Sequence, residues 1–402
     1  MATPYMHKIL MLIENCSAPT DTRIWSEATS LRDQGFRVSI VCPRGICYDQ
    51  ESHVCIEGIH IYRYRLPKTL NNYGGYFLEY TIAMFMTFML SLIVWYRHGF
   101  DVIHATNPPD TFFILALCYR LLGKKFVFDQ RDLAPEMFQV KFKGRLMVIR
   151  RVLLFLEWCS YHSATLVITS NGSQKRLGIE RGRYPADRIF IVGNGPDLER
   201  LRWVEPEQDL KNGKRFLLAY IGQMEVQDGV EFALYALHEL VYKRGRQDIS
   251  LVLLGDGGQA RQLQTLTREL GLESYTNFTG WVSSDVMVRY LSTADIGLTP
   301  DPKNGFNEYC TMVKTMEYMA LGKPVVAFDL AETRLSVQEA ALYATPNCVE
   351  DYASKIEMLL DHEELRSSMG AYARKRIEEC ISWEHDQKNL RLAYAKLFPN
   401  RT

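Results

Sequence analysis

The sequence predicts a two-domain α/β protein, and three observations carry that expectation. The chain has 402 residues, too many for one ordinary core. Short apolar runs alternate with amphipathic helical stretches in two successive series, one on either side of residue 200. Between them lies a polar segment, Glu205 to Lys214, that reads as a linker.

Composition sets further bounds. A hydrophobic fraction of 47% and a charged fraction of 23% are those of a soluble globular protein. Lys+Arg and Asp+Glu number 47 each, so no global basic excess points to nucleic acid, and none is expected as a partner. Nine cysteines lie scattered without a C-x-x-C pair. That pattern predicts reduced thiols in a cytoplasmic setting rather than disulfides or zinc. The N-terminus runs into a strand pattern at once, so no signal peptide is expected.

The first series opens with an apolar run, His7 to Ile13, followed by the loop Asp21-Thr22-Arg23. An amphipathic helix from about Trp25 to Gln34 stops at Gly35, and Val38 to Cys42 is the next strand. This βαβ unit predicts parallel strands with a ligand crevice at their carboxyl ends. Asp21 and Arg23 lie on the loop at that crevice, where Arg23 reads equally as a ligand contact or a surface ion pair. Ile59 to Arg65 is an amphipathic strand.

Tyr80 to Tyr96 is uncharged for about 17 residues, slightly short of the ~20 that span a bilayer. Trp95 and Tyr96 close it like an interfacial belt, before Arg97. A buried helix of a large α/β domain is the leading reading. An in-plane helix touching a membrane surface through residues 80–97 comes second. A membrane span comes third, because strand-like segments flank the helix closely.

Asp101 to His104 is another buried strand, ending in A-T-N-P-P-D, where Pro108 and Pro109 forbid helix. His104 reads first as a satisfied structural residue, and second, with Asn107, as a ligand contact. Lys125 to Phe128 leads directly into D-Q-R-D-L-A-P-E. Charges at Asp129, Arg131 and Asp132 just past a buried strand are costly without partners, which argues for a crevice position. Thr165 to Thr169 and Ile189 to Val192 complete this sheet. No G-x-G-x-x-G follows the first strand, against a dinucleotide dehydrogenase.

The second series runs through Phe216 to Ile221, a helix from about Val230 to Tyr242, and Leu251 to Leu254. The loop Gly255-Asp256-Gly257-Gly258 follows, then a strand end at Asn277 to Trp281 and a strand at Ile296 to Thr299. In Tyr309 to Phe328, Thr311 is an N-cap candidate for an apolar helix that carries Lys314 and Glu317 on one face. Gly322 ends the helix and Pro324 opens a strand. A helix N-terminus offers unpaired N–H groups and partial positive charge to an anion such as a diphosphate. A final amphipathic helix spans about Trp383 to Leu397. Two Rossmann-like domains are thus expected to face each other across a cleft, residues 1–200 and 201–380, with 381–402 crossing back to the first.

Four segments resemble family-4 glycosyltransferases of the GT-B fold: D-T-R-I-W-S-E-A-T-S-L-R-D-Q-G-F-R-V, I-V-G-N-G-P-D, F-T-G-W-V and M-E-Y-M-A-L-G-K-P-V-V-A-F. They occur in the family's order and span nearly the whole chain. The resemblance implies a retaining hexosyl transfer from a nucleotide-diphosphate sugar, UDP-linked before GDP-linked, with no cofactor. An acceptor at the inner face of a membrane, a glycan or lipid-linked glycan of cell-surface biosynthesis, is suggested by the apolar helix before Arg97 beside the resemblance. It implies that Glu317 holds the ribose, and that Trp281 and Val282 meet the base. The backbone at Thr311, Met312 and Val313 cradles the diphosphate, with Gly222, Gln223, Asp256 and Gly257 nearby. Arg23, Asp21, His104 and Asn107 would face the acceptor. Asp132, Glu308, Lys314, Arg131 and Asp129 are the candidates for the chemistry.

The chain departs from the family at three places. Tyr309, with Glu308 beside it, stands where a first Glu is usual. Gln223 and Asp228 replace the Arg and Lys that neutralise the diphosphate, which leaves Lys314 as the expected cation. D-Q-R-D stands where a histidine is usual. No Asp-x-Asp occurs, so no sequence signal marks a metal-diphosphate site, and no metal is expected. A nucleotide-sugar 2-epimerase and a non-catalytic nucleotide-sugar-binding homologue are the competing expectations.

Overall fold

The computed structural model describes residues 6–45, 49–66, 73–141 and 147–399. The chain clusters into two compact units. The first joins the N-terminal part, through Gly193, to the segment from Asp386 onward, and the second is built on Asn194–His385. The divisions therefore fall at 193 and 386, against the expected 200 and 381.

The first unit holds β1 (Lys8–Leu12), β2 (Arg37–Pro43), β3 (His53–Ile56), β4 (Ile59–Tyr64), β5 (Val102–Thr106), β6 (Lys125–Gln130), β7 (Leu166–Thr169) and β8 (Ile189–Ile191). They pair in the order β3-β4-β2-β1-β5-β6-β7-β8. All pairs are parallel except β3–β4, a hairpin the sequence reading did not find. Its turn is Glu57-Gly58, both in the left-handed region, the backbone a tight hairpin needs.

Its helices are α1 (Thr22–Asp33), α2 (Tyr73–Arg97), α3 (Phe113–Arg120), α4 (Ala134–Lys141), α5 (Met147–Ser163) and α6 (Gly172–Glu180). α1 starts at Thr22 rather than Trp25, because the Asp21 carboxylate accepts from the Ile24 N–H at 3.0 Å and fixes the first turn. α2 corrects the leading expectation of a buried helix. Only 22% of its apolar stretch, Leu78–Arg97, is buried. Ala83, Thr87, Ser91 and Val94 form a narrow buried stripe, while Phe85, Ile93, Trp95 and Tyr96 are exposed. Among the described residues it is the one helix long and apolar enough to cross a membrane.

The second unit holds β9 (Phe216–Ile221), β10 (Ile249–Leu254), β11 (Thr276–Gly280), β12 (Ile296–Thr299), β13 (Val325–Phe328) and β14 (Ala341–Ala344). The order is β11-β10-β9-β12-β13-β14, parallel throughout. The four inner strands, β10, β9, β12 and β13, are almost wholly buried, as sheets covered on both faces are. The helices are α7 (Val230–His238), α8 (Ala260–Glu269), α9 (Ser284–Thr293), α10 (Val313–Ala320), α11 (Ala331–Val337), α12 (Val349–Asp361) and α13 (Glu363–Arg376). α7 is shorter than expected and passes into a π-helical turn, Glu239–Lys243. The expected linker is not free. Lys211 Nζ meets Asp295 at 2.8 Å, and the Glu207 N–H donates to Thr293 Oγ1 at 2.9 Å.

The last helix, α14 (Trp383–Leu397), lies where the sequence placed it. From Asp386 onward it belongs to the first unit and buries Leu390, Ala393, Tyr394 and Leu397 there. Asp386 anchors it by accepting from the Gly193 N–H at 2.7 Å.

Candidate functional site

In the first unit, seven of the sequence-selected residues converge at the carboxyl ends of β1, β5 and β6. At the centre is Arg23, only 6% exposed. Its guanidinium donates to Glu27 Oε1 at 2.9 Å, Asp129 Oδ1 at 2.9 Å and Ser170 Oγ at 2.8 Å. His104 is fully buried beside it. Its Nδ1 pairs with the Tyr394 hydroxyl of α14 at 2.9 Å, and its Nε2 lies 3.6 Å from Glu27 and 3.7 Å from Asp129. Those three donor atoms are mutually within 4.8 Å, close enough to share a cation. Arg23, bonded to the other oxygen of each carboxylate, already supplies positive charge there. Burial pushes the Glu27 carboxyl up, and the Asp129 charge adds to this. For Asp129 the upward pull of burial is outweighed by Arg23, and its carboxyl sits below the ordinary value.

This corrects part of the sequence expectation. Arg23, His104, Asn107 and Asp129 are buried and bonded to one another's loops, so none presents an acceptor-binding surface. Asn107 Oδ1 accepts from the Arg131 and Asp132 N–H groups at 2.7 and 3.1 Å. Its amide nitrogen donates to Asp110 and to the Asp132 carbonyl. It is the clamp that shapes D-Q-R-D. Asp21 caps α1 and takes both Arg131 amino groups, at 2.9 and 3.3 Å. Burial would raise the Asp21 carboxyl, but Arg131 holds it below its usual range. Asp21, Arg131 and Asp132 are the half-buried members of the group.

In the second unit, glycines bring two loops into contact. Gly222 and Gly255 end β9 and β10 at φ 142° and 130°. The Gly222 N–H donates to Leu254 O at 3.0 Å, and a Cβ on Gly255 would lie 2.0 Å from the Gly222 carbonyl oxygen. A Cβ on Gly257 would lie 2.6 Å from the Met224 backbone. Gln223, Asp256 and Gly257 thus lie on paired loops. Trp281, 62% exposed, and half-buried Val282 follow β11 close by in sequence.

α10 carries the other donor-site candidates. Its N-cap is Met312, not Thr311, and it has no side-chain cap bond. The Thr311 hydroxyl turns instead toward Glu332, at 3.4 Å. Val313, 44% exposed, opens the first turn. Lys314 is not the expected free cation. It is buried, with Nζ 2.7 Å from Asp301 and 3.3 Å from Asp228, over the Tyr220 ring. Burial would lower its pKa, but Asp301 and its neighbours hold the ammonium well above the ordinary value. Burial pushes Asp301 up to about 6 despite that partner. Asp228, which stands where the family has Lys, therefore receives a lysine instead of supplying one. Glu317 accepts from Arg200 at 3.1 Å, and burial raises its carboxyl against the pull of Arg200. Glu308 sits in a single turn of 3-10 helix, 3.6 Å from Lys303.

Sequence reasoning missed Arg200 and Asp301. Asp301 carried a usable signal, a charge just past a buried strand, the same cue that marked Asp129. Arg200 carried none, because 117 positions separate it from Glu317.

Two α/β units, each built on a largely parallel sheet, have the architecture of the GT-B glycosyltransferases. The chain belongs to the family-4 type: residues 21–200 match Glycosyltransferase Family 4 and residues 215–362 match Glycosyl transferases group 1. It is similar to an uncharacterized glycosyltransferase of Methanocaldococcus jannaschii, 22% identical over 373 residues and 90% of each chain. The fold is similar to a sucrose-phosphate synthase of Thermosynechococcus elongatus, with a TM-score of 0.78 and 16% identity over 98% of this chain and 99% of that one. It also resembles Anabaena HepE in complex with UDP-glucose, with a TM-score of 0.71 and 16% identity over 97% and 99% of the two chains.

Proposed function

We propose that this glycosyltransferase moves a sugar, with retention of configuration and without a metal or cofactor, from a nucleotide-diphosphate sugar to a glycan or lipid-linked glycan. A UDP-sugar is the first choice of donor and a GDP-sugar the second. The UDP-glucose complex of a protein with the same fold supports the choice. We assign the activity to cell-surface polysaccharide or glycoconjugate synthesis at the cytoplasmic face of a membrane, touched through residues 80–97. The exposed side of α2 supports that contact.

One observation carries the donor assignment: α10 begins without a side-chain cap and holds Glu317 one turn in, 3.1 Å from Arg200. The diphosphate sits on the first-turn amides, at Thr311, Met312 and Val313, where N–H groups and the helix dipole favour anions. Glu317 accepts from the ribose hydroxyls, and Trp281 offers its open face to the base. Arg200 is the cation that meets the developing charge as the sugar–phosphate bond breaks. Lys314 acts indirectly: its bonds to Asp301 and Asp228 fix the loop geometry under the helix tip. Asp132 and Glu308 orient sugar or acceptor hydroxyls, and the leaving phosphate takes the acceptor's proton.

A thermal-shift screen of nucleoside diphosphates tests this. One of them, UDP first, raises the melting temperature, because a ligand of the folded state stabilises it by mass action. Glu317→Ala, folded by circular dichroism, weakens that nucleotide by about tenfold or more, the scale of a charge-assisted hydrogen bond. Unchanged affinity in the variant, or no shift with any nucleoside diphosphate, would refute the assignment.

A further inference from the structure

α2, α3 and α5 lie side by side on one face of the first unit's sheet. Their inner residues, among them Val94, Tyr119 and Tyr161, share one core cluster. Ser91 Oγ meets the Tyr119 hydroxyl at 2.8 Å, and Trp95 packs edge-on to Tyr119, which joins α2 to α3. α3 in turn packs on α5.

The outer side of this layer is apolar. Tyr96 is 93% exposed and Leu121 is 89% exposed, and Phe85, Met147, Phe155 and Trp158 are exposed with them. A folded chain rarely leaves such a surface to water. The charges on it are one-sided. α3 has no carboxylate, and the only one in α5, Glu157, is buried against Arg181. Glu79, near the start of α2, is the remaining one in the three helices. Arg97, Arg120 and Arg151 are exposed along the same layer.

Where α3 and α5 end, a pocket of about 350 Å³ opens, lined by Arg120, Lys124, His162, Arg183 and Arg188. Asp101 lies 3.8 Å from Lys124, and the nearby Asp187 is engaged by Lys396 at 3.0 Å. The Arg120 and Arg183 guanidinium groups have no ion-pair or hydrogen-bond partner among the described residues. His162 connects pocket and face, since its ring stacks on exposed Trp158 at 4.1 Å. Basic last-turn residues also suit helix dipoles, which accounts for Arg120 and His162, and Arg188 is engaged by the Tyr184 hydroxyl, but neither accounts for Arg183. The chain as a whole carries no net charge, so this bias is local.

We propose that the outer face of α2, α3 and α5 docks on an anionic bilayer, with the basic pocket taking the phosphate of a lipid headgroup. Apolar side chains that reach the acyl boundary beside cations at headgroup level are the two parts of interfacial binding. The inference extends the membrane contact proposed for residues 80–97, but it needs nothing from the donor chemistry.

The test is sedimentation of the full chain with phosphatidylcholine vesicles, with and without phosphatidylglycerol, read without donor or acceptor. Anionic vesicles should bind the protein, and neutral ones much more weakly. Arg120→Glu with Arg183→Glu should lower partitioning at least about tenfold, since each basic residue contributes on the order of 1 kcal/mol at an anionic surface. Phe155→Ser with Leu121→Ser should lower it on both vesicle types. Nucleotide-induced thermal shifts should persist in all variants, which separates this outcome from failure of the donor site. Three results would overturn the proposal: binding indifferent to lipid charge and to both variant pairs, a dimer in solution abolished by Phe155→Ser, or stabilisation by inorganic phosphate without vesicle binding.

Discussion

Just past the end of β1, Glu14 is 3% exposed, and one of its buried carboxylate oxygens has no hydrogen-bond partner among the described residues. Burial pushes its pKa from 4.5 to about 8, and the Glu79 charge adds to the shift. The folded chain therefore keeps a proton that the unfolded chain releases between those two values. A state that holds more protons loses ground as pH rises, so this group lowers stability progressively through that window and by its full amount above it. Glu14→Gln removes the slope. Its stability relative to the parent should rise from near zero at pH 4.5 to on the order of 2–4 kcal/mol at pH 8, read by urea denaturation across that range. A gain independent of pH would place the ionisation elsewhere. Lys314 shows the opposite residue-scale solution. Its charge is buried but matched by Asp301 and Asp228, so it remains ionised.

At the scale of elements, the second unit's site rests on loops that only glycine can close. A Cβ on Gly255 would meet the Gly222 carbonyl oxygen at 2.0 Å, and backbone cannot swing aside as a side-chain tip can. Gly245 also has positive φ, but open space surrounds its Cβ direction. Gly245→Ala should therefore cost only the conformational penalty, about 1 kcal/mol. Gly255→Ala should cost roughly 3 kcal/mol or more, because the β9 and β10 loops must part. Denaturant titration of the two variants side by side decides this, and equal costs would mean the loops yield freely. These elements were legible in the sequence because glycines and charges at strand ends are local signals. Asp129 and Arg131 stood out in this way, whereas Glu317 was marked by its place on a helix face and Asp228 by the family resemblance. What they bind was not legible. Lys314 finds Asp228 from 86 positions away, and Arg23 finds Asp129 from 106. The exposure of α2 was hidden for a related reason. Its composition suits a core helix or a membrane-facing one equally, and only its packing on the sheet distinguishes them.

At the scale of the whole molecule, chain order and spatial order part company in the final helix. α14 follows the second unit in sequence, yet from Asp386 onward it completes the core of the first. Leu390, Tyr394 and Leu397 are buried there, and the Tyr394 hydroxyl pairs with His104 at the centre of the Arg23 network. Each buried side chain of this size contributes about 1.5–3 kcal/mol. Removing residues 386–402 would therefore take roughly 5 kcal/mol or more from the first unit, a large share of what stabilises a domain. It would also leave His104 Nδ1 without its partner, a further buried polar cost. The second unit has its own clusters, built on Phe216, Leu218, Leu251 and Tyr352, and loses nothing from them. Calorimetry should show the consequence. The truncated chain should lose or sharply lower one transition and keep the other near its parent temperature, with a nucleoside diphosphate still raising the surviving one. Equal lowering of both transitions would mean that the two cores unfold as one cooperative body and that α14 stabilises the whole chain.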